Sequence, residues 1–323
     1  MLLPIAMCAV SGILLGSWTI FMRKSQPHQF ENFFVVFVTI LSACFIAYCV
    51  TTTGLGAFTQ ELLSASAAAW LWVALGGVGW GIGQILFGYG ITMLGLALGY
   101  AIMIGVSMLM GTFVTMFLMG GIPESAPGAV YIYATIGVII SLVGIVLSAW
   151  AGKIKSSKLN INNFPAGLIV CISSGSVGSL FALSYAGATR KAPGFLTTWP
   201  AMAVIVFIYC LVQVTFFIYK IQRLKTWGLF STDRRKYFLF PLISALMFSL
   251  ALVFNFKATD IVGISLSYPM MMGIQIFVGN VWSFLLFKEW EHAPKRAVRT
   301  QYAGLLLLLV SSVLIGRAMG YIR

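Results

Sequence analysis

Long apolar runs separated by short polar stretches recur ten times along the chain. The runs are continuously apolar and do not alternate apolar with polar positions, so they predict helices and not membrane strands. A helix of about 20 apolar residues crosses the hydrocarbon core of a bilayer. We therefore predict ten membrane-spanning helices, called spans 1 to 10. Their approximate limits are 3–22, 32–52, 68–91, 94–119, 128–151, 165–187, 195–219, 237–257, 262–287 and 300–320.

The composition agrees with an integral membrane protein of the all-α class. Of 323 residues, 60% are hydrophobic and only 8% are charged, whereas soluble globular proteins are about one quarter charged. The first run has no positive segment before it, so we expect it to be span 1 and not a secretory signal. Trp18, near the end of span 1, is expected to anchor the helix at the membrane interface.

The net charge of +13 does not indicate a nucleic-acid partner, because the basic residues lie at helix ends and in loops. Fifteen of the 20 lysines and arginines fall in the loops after spans 1, 5, 7 and 9. The positive-inside rule places these loops in the cytoplasm and both termini on the outer side. We expect a multi-pass protein of the cytoplasmic (inner) membrane whose surroundings are the lipid bilayer.

The sequence contains a duplication. The segment Gly95–Gly105 of span 4 is repeated at 263–273 of span 9 with a constant offset of 168 residues. The offset pairs Tyr100 with Tyr268 and places Gln275 opposite Ser107. We therefore predict a first five-helix repeat at 1–152, a cytoplasmic linker at 153–164 and a second five-helix repeat at 165–323.

Polar residues inside the spans are the candidates for a binding site. Gln84 follows Trp80 by one helical turn in span 3, and an amide that faces lipid is costly. Tyr100 and Ser107 lie seven residues apart in span 4, as their counterparts do in span 9. Such residues either tie neighbouring helices together or line a cavity. We favour the cavity, because a duplication is not otherwise expected to keep polarity at equivalent positions.

The acidic residues give two candidates for proton coupling. Glu31 opens span 2, where it either caps the helix dipole or carries a proton. Asp260 ends span 8, three residues after Lys257, and forms with it either a surface pair or a coupling pair. His28 and His292, the two histidines, fall in predicted loops.

No enzymatic constellation is present in the sequence: there is no Ser-His-Asp arrangement, no buried carboxylate pair and no nucleotide-binding motif. We therefore expect no catalytic residue, no metal site and no cofactor, and any transport is expected to use a gradient.

Three motifs give a family resemblance. They are Trp80-Gly-Ile-Gly83 with the glycine-rich helix that follows Gly95, Lys288-Glu-Trp290 before span 10, and Phe30-Glu31 at the start of span 2. In these three motifs the chain resembles the L-rhamnose–proton symporter family of the drug/metabolite transporter superfamily. The resemblance implies two inverted five-helix repeats, with a substrate site between the repeats near the membrane midplane. The family has Asn where this chain has Gln84.

Two functions are compatible with these features. The first is import of a neutral sugar, rhamnose-like or a related monosaccharide, by proton symport. Aromatic faces and planar amides would bind the sugar, and the candidates are Trp80, Gln84, Tyr100, Ser107, Tyr268, Gln275 and Asn280. The alternative is export of amphipathic metabolites or drugs through an adaptable cavity lined by methionine and phenylalanine. The apolar spans 5 and 10 face either lipid or a second copy of the chain in a homodimer.

Overall fold

The computed structural model describes residues 2–25, 30–119, 127–159 and 164–319. All regular structure in these residues is helical. A π-helical turn, Arg235–Leu239, directly precedes the helix that begins at Phe240. The α-helices are α1 (Leu2–Ser17), α2 (Thr19–Ser25), α3 (Phe30–Thr53), α4 (Leu55–Ser64), α5 (Ala67–Leu94), α6 (Leu96–Leu118), α7 (Gly128–Leu159), α8 (Phe164–Gly178), α9 (Leu180–Ala188), α10 (Thr198–Leu224), α11 (Leu229–Thr232), α12 (Phe240–Val262), α13 (Ile264–Leu285) and α14 (Lys295–Met319).

The ten predicted spans are confirmed. Within the described residues, ten helical segments are long and apolar enough to cross a bilayer. Span 1 consists of α1 and α2, which are separated at Trp18, and span 6 consists of α8 and α9, which are separated at Ser179. The two breaks, at Trp18 and Ser179, lie at nearly equivalent positions of the two predicted repeats. The sequence did not predict the short helices α4 and α11, since neither has the length of a span.

The duplication extends to backbone conformation at Gly95 and Gly263. The φ angle is +82° at Gly95 and +81° at Gly263. Each glycine is the single residue that joins two consecutive long helices, α5 to α6 and α12 to α13. Residues with a Cβ rarely adopt this conformation, and glycine does so freely. The same sharp turn therefore begins the fourth helix of each predicted repeat.

The chain forms two compact units, each of which takes segments from both halves of the sequence. Unit 1 comprises Met1–Ser17, Gly83–Ser179 and Phe254–Arg323, and unit 2 comprises Trp18–Ile82 and Leu180–Val253. The predicted repeats at 1–152 and 165–323 follow the sequence duplication and stay a prediction. Part of the predicted linker, 160–163, and the predicted loop residue His28 lie outside the described residues.

Unit 1 is built around α13, which packs against α1, α6 and α14. Gly12 and Gly16 of α1 face α13 at very short range. A Cβ added at Gly12 would lie 2.7 Å from the Cβ of Ile274, and one added at Gly16 would lie 2.6 Å from the Cβ of Val278. Small residues four apart thus let two helix backbones approach closely, as they do in membrane proteins generally.

Helices α7 and α14, which are spans 5 and 10, pack along each other within unit 1. Gly144 and Gly304 meet there with no side chain between them: a Cβ at Gly144 would lie 2.9 Å from the Gly304 carbonyl oxygen. Each helix also exposes an apolar face, which includes Val146 on α7 and Val313 on α14. These faces can contact lipid or a second copy.

Unit 2 has an aromatic core in which Trp18 is central. The Trp18 ring stacks on Phe37 at 4.8 Å and packs edge-on against Phe248. Only 1% of Trp18 is exposed. The prediction of an interfacial anchor is therefore wrong. An amphipathic indole near a helix end suits an interface and an aromatic core equally well, and here the phenylalanines of α3 and α12 bury it.

Candidate transport site

Four of the predicted site residues form two hydrogen-bonded pairs between α6 and α13 in unit 1. The amide nitrogen Nε2 of Gln275 donates to the hydroxyl of Tyr100 at 3.0 Å. The hydroxyls of Ser107 and Tyr268 are 2.8 Å apart. Each of the four side chains is more than nine-tenths buried. The structure therefore brings together the two polar stripes that the sequence predicted.

The two pairs are reciprocal. The offset of 168 residues converts Tyr100 into Tyr268 and Ser107 into Gln275. It therefore converts the pair Tyr100–Gln275 into the pair Tyr268–Ser107, and both pairs exist. When residue i contacts j, and the equivalent of j contacts the equivalent of i, the two copies are related as in a two-fold interface. This pairing is compatible with an inverted repeat within one chain.

The pairs retain hydrogen-bonding capacity. The Tyr100 hydroxyl donates to the backbone oxygen of Leu15 on α1, so three helices meet at this residue. The Gln275 oxygen Oε1 is buried and has no hydrogen-bond partner among the described residues. An unsatisfied buried acceptor is costly, and native proteins contain few of them. A donor from a bound molecule or from water would satisfy it.

Asn280 lies one helical turn and a half beyond Gln275 but has different partners. It accepts a hydrogen bond at 2.7 Å from the Nε2 of Gln301 on α14, and its own Nδ2 donates to the backbone oxygen of Ile276. Both of its amide atoms are therefore engaged, and the bond from Gln301 ties α13 to α14.

Trp80 and Gln84 belong to different units, although both lie on α5. Trp80, in unit 2, stacks on Tyr209 at 4.2 Å and packs against Phe181 at 4.5 Å. Gln84, in unit 1, is buried. Neither side chain forms a hydrogen bond with the reciprocal pairs.

The two candidate acids differ in exposure. Glu31 lies in the first turn of α3 and is 6% exposed, beside the buried Asn32, whose Nδ2 donates to the backbone oxygen of Thr226. Asp260 is exposed near the end of α12. A proton carrier must exchange protons with water and yet sense the protein interior. Glu31 satisfies the second condition better.

Comparison with known proteins agrees with this architecture. A family model described as L-rhamnose-proton symport protein (RhaT) matches residues 13–321. The chain belongs to this family. The L-rhamnose-proton symporter of Yersinia pestis (strain Pestoides F) is 27% identical over 291 residues, which cover 81% of this chain and 82% of the relative. That of Yersinia pestis bv. Antiqua (strain Antiqua) is 26% identical over 288 residues, with the same coverage.

The family consists of transporters and not of enzymes, as the sequence predicted. The resemblance at the Trp80, Gly95 and Lys288-Glu-Trp290 motifs is thereby confirmed at the level of family. Ten apolar helices and membership of this family make the chain a multi-pass membrane transport protein.

Sequence reasoning overlooked three buried polar residues in this member of the symporter family. The hydroxyl of Tyr209, the Oε1 of Gln213 and both amide atoms of Asn255 have no hydrogen-bond partner among the described residues. A signal was available, since Gln213 and Asn255 are amides within apolar spans and such residues are costly there. Tyr209 lies four residues before Gln213, on the same face of α10.

Glu289, at the centre of the Lys288-Glu-Trp290 motif, was also given no role. Its carboxylate accepts hydrogen bonds from the backbone nitrogens of Leu96 and Ala97 at 3.1 and 3.2 Å, and from the hydroxyl of Ser283 at 3.1 Å. The motif therefore joins the start of α6 to the end of α13.

Proposed function

We propose that this chain imports a neutral sugar, L-rhamnose or a related monosaccharide, together with a proton across the cytoplasmic membrane. Membership of the L-rhamnose-proton symporter family supports the transport class. The observation that carries the proposal for this chain is the reciprocal pairing of Tyr100 with Gln275 and of Ser107 with Tyr268. It supplies buried hydroxyl and amide groups between two membrane-spanning helices.

The chemistry of these groups suits a sugar. A sugar hydroxyl both donates and accepts, and so do a tyrosine hydroxyl, a serine hydroxyl and an amide taken as a whole. A sugar that enters between α6 and α13 would replace the protein's own pairs with bonds of the same kind. The unsatisfied Oε1 of Gln275 would accept one of its hydroxyl protons. We assign Gln84 and Asn280 of unit 1 to the same site. Trp80, in unit 2, stays a predicted substrate-binding residue.

The proton is assigned to Glu31, with Asp260 as the second candidate. Burial of an acid in a membrane protein is costly and marks a functional position more often than a structural one. Glu31 is buried in the first turn of α3. Coupling requires that a change of conformation alters the surroundings of the residue that carries the proton.

The orientation follows from the charge distribution. The basic residues in the loops after spans 1, 5, 7 and 9 support an orientation with those loops in the cytoplasm and both termini on the outer side. We place the exposed apolar faces of α7 and α14 against lipid or against a second copy in a homodimer.

A thermal-shift measurement on the detergent-purified protein tests the substrate class. A ligand that binds the folded state raises its melting temperature by mass action. The proposal predicts a selective rise with L-rhamnose or another 6-deoxyhexose, and none with amino acids or nucleosides. Rises with many unrelated apolar cations, and none with any sugar, would overturn it in favour of an exporter of amphipathic compounds.

A further inference from the structure

An open groove with a volume of about 660 Å³ lies on the surface of unit 1, between α1, α13 and α14. Helix α14 supplies most of its wall, through Leu309, Ser312, Val313, Gly316 and Arg317. These residues have the spacing of a single helix face, so the groove extends about 12 Å along α14. Pockets that bind small molecules have volumes of about 300–1,000 Å³. The groove is therefore large enough to hold a ligand.

The rest of the groove is apolar. Ile5 of α1 and Met270 and Ile274 of α13 form the side opposite α14. Met270 is buried in the hydrophobic core of unit 1, and the half-buried Ile5 and Ile274 pack against that core. Gly316 leaves space here, because an added Cβ would meet only the end of the Met270 side chain, at 3.6 Å. A larger side chain at this position would occupy the groove.

The polar groups of the groove leave a single charge at one end. The hydroxyl of Ser312 donates to the backbone oxygen of Leu308 in its own helix, at 3.0 Å. Arg317 lies in the last turn of α14, is exposed, and has no hydrogen bond or ion pair with another described residue. A sugar in this groove would leave most of its hydroxyl groups without partners, which is costly. The groove instead suits an apolar chain with a negative charge at one end.

The surroundings of the groove indicate the source of such a molecule. Val313, on the groove wall, is 70% exposed and lies within the membrane span Lys295–Ala318. Arg317 lies at the end of that span, where lipid headgroups are expected. The arginine side chain matches the geometry of a phosphate group. A second copy of the chain is a poor source of this anion, since the sequence has seven acidic residues against 20 lysines and arginines.

We propose that this groove binds an anionic phospholipid of the surrounding bilayer. One acyl chain lies along α14 and contacts Met270 and Ile274, and the phosphate pairs with Arg317. A cation in the last turn also stabilises the end of a helix, but that role does not account for the groove beside it. The bound lipid joins α1, α13 and α14 on the outside of the bundle. This inference does not depend on the identity of the transported substrate.

The test is photo-crosslinking in vesicles that contain equal amounts of phosphatidylglycerol and phosphatidylcholine. A trace of one lipid or the other carries a photoreactive diazirine in its acyl chain, and crosslinked peptides are mapped by mass spectrometry. Phosphatidylglycerol should label the groove residues of α13 and α14 several times more strongly than phosphatidylcholine does. Labelling of the exposed apolar face of α7 should be the same for both lipids and serves as the internal reference.

Two variants test the two ends of the ligand. Arg317→Gln should reduce groove labelling by phosphatidylglycerol about fivefold, which is the effect of one basic residue near an anionic surface. Arg299→Gln, an exposed arginine near the other end of α14, is the matched control and should label as the wild type does. Gly316→Leu should reduce groove labelling by both lipids, because the leucine occupies the space of the acyl chain. Gly128→Leu, where an added Cβ meets nothing within 4 Å, is its control. Monodispersity in detergent shows that each variant folds.

Three outcomes overturn the inference. Equal labelling of the wild-type groove by the two lipids would show that it does not select an anionic headgroup. Unchanged labelling by phosphatidylglycerol in Arg317→Gln would remove the proposed phosphate contact. Absence of groove labelling by either lipid, with normal labelling of α7, would show that another occupant, such as a second copy of the chain, covers the groove.

Discussion

The hydroxyl of Tyr100 lies 3.0 Å from the Nε2 of Gln275, and the residues equivalent to them in the other repeat, Tyr268 and Ser107, are joined in the same way at 2.8 Å. A duplication preserves a buried polar pair twice only if both copies are useful or both are harmless. Hydrogen bonds between membrane helices contribute about 0.6 kcal/mol on average, which is little for four buried polar side chains. A substrate that uses these groups gives a better account of them.

The first prediction concerns the two tyrosines. Tyr100→Phe and Tyr268→Phe should each weaken L-rhamnose binding by about tenfold, because each removes one hydroxyl hydrogen bond from the site. The fold should persist, since the ring and its packing remain. Binding is measured by titrating the thermal shift. Tyr219→Phe, an exposed tyrosine on α10, is the control and should bind as the wild type does. Unchanged binding in both variants would remove these tyrosines from the site.

The second prediction concerns the amides. Gln84→Ala and Gln275→Ala should weaken substrate binding while the protein still folds, because each loses a planar donor and acceptor pair. Gln60→Ala, on the exposed face of α4, is the matched control. The apparent dissociation constant for L-rhamnose and the amount of monodisperse protein after purification are measured together. Wild-type affinity in both amide variants would contradict the assignment of the site.

The third prediction concerns the buried acid of unit 2. Glu31→Gln should lose accumulation of L-rhamnose against a gradient and keep exchange. The amide is similar in shape to the carboxyl group but cannot take up and release a proton. Asp260→Asn should have a smaller effect, since Asp260 is exposed. Proteoliposome uptake with an inward pH gradient separates the two activities. Normal accumulation in Glu31→Gln would assign coupling to another acid.

The fourth prediction concerns the two sharp turns. Gly95→Ala and Gly263→Ala should each lower the free energy of unfolding by about 1–2 kcal/mol, because alanine is strained at positive φ. At Gly95 the added Cβ would also lie 3.1 Å from Oε2 of Glu289. Gly128→Ala is the control, since its added Cβ would meet nothing within 4 Å. Thermal denaturation in detergent measures the difference. Equal melting temperatures for all three variants would show that the turns tolerate a side chain.

Much of the fold could be predicted from the sequence, because the bilayer imposes length and apolarity on every span. The duplication also indicated Tyr100, Ser107, Tyr268 and Gln275 as candidate site residues. The partners were not predictable, because helix spacing places a residue on a face but does not say which residue of the next helix lies opposite. Nothing in the sequence indicated that Tyr100 pairs with Gln275 and Tyr268 with Ser107.

The remaining differences have similar causes. Trp18 near a helix end has the same local pattern whether it meets lipid headgroups or, as here, Phe37. Glu289 lies in a loop with other charged residues, where acids are usually solvated. Only the fold brings it to the start of α6, 193 residues earlier in the chain.

Uptake of labelled L-rhamnose into proteoliposomes, with and without an imposed pH gradient, tests the central claim most directly. The account predicts accumulation above the external concentration when the outside is acidic, and its loss when a protonophore collapses the gradient. Uptake that ignores the gradient would contradict proton coupling. Absence of any uptake of L-rhamnose or related sugars, by protein that is folded in the vesicles, would contradict the sugar transport that we propose for this chain.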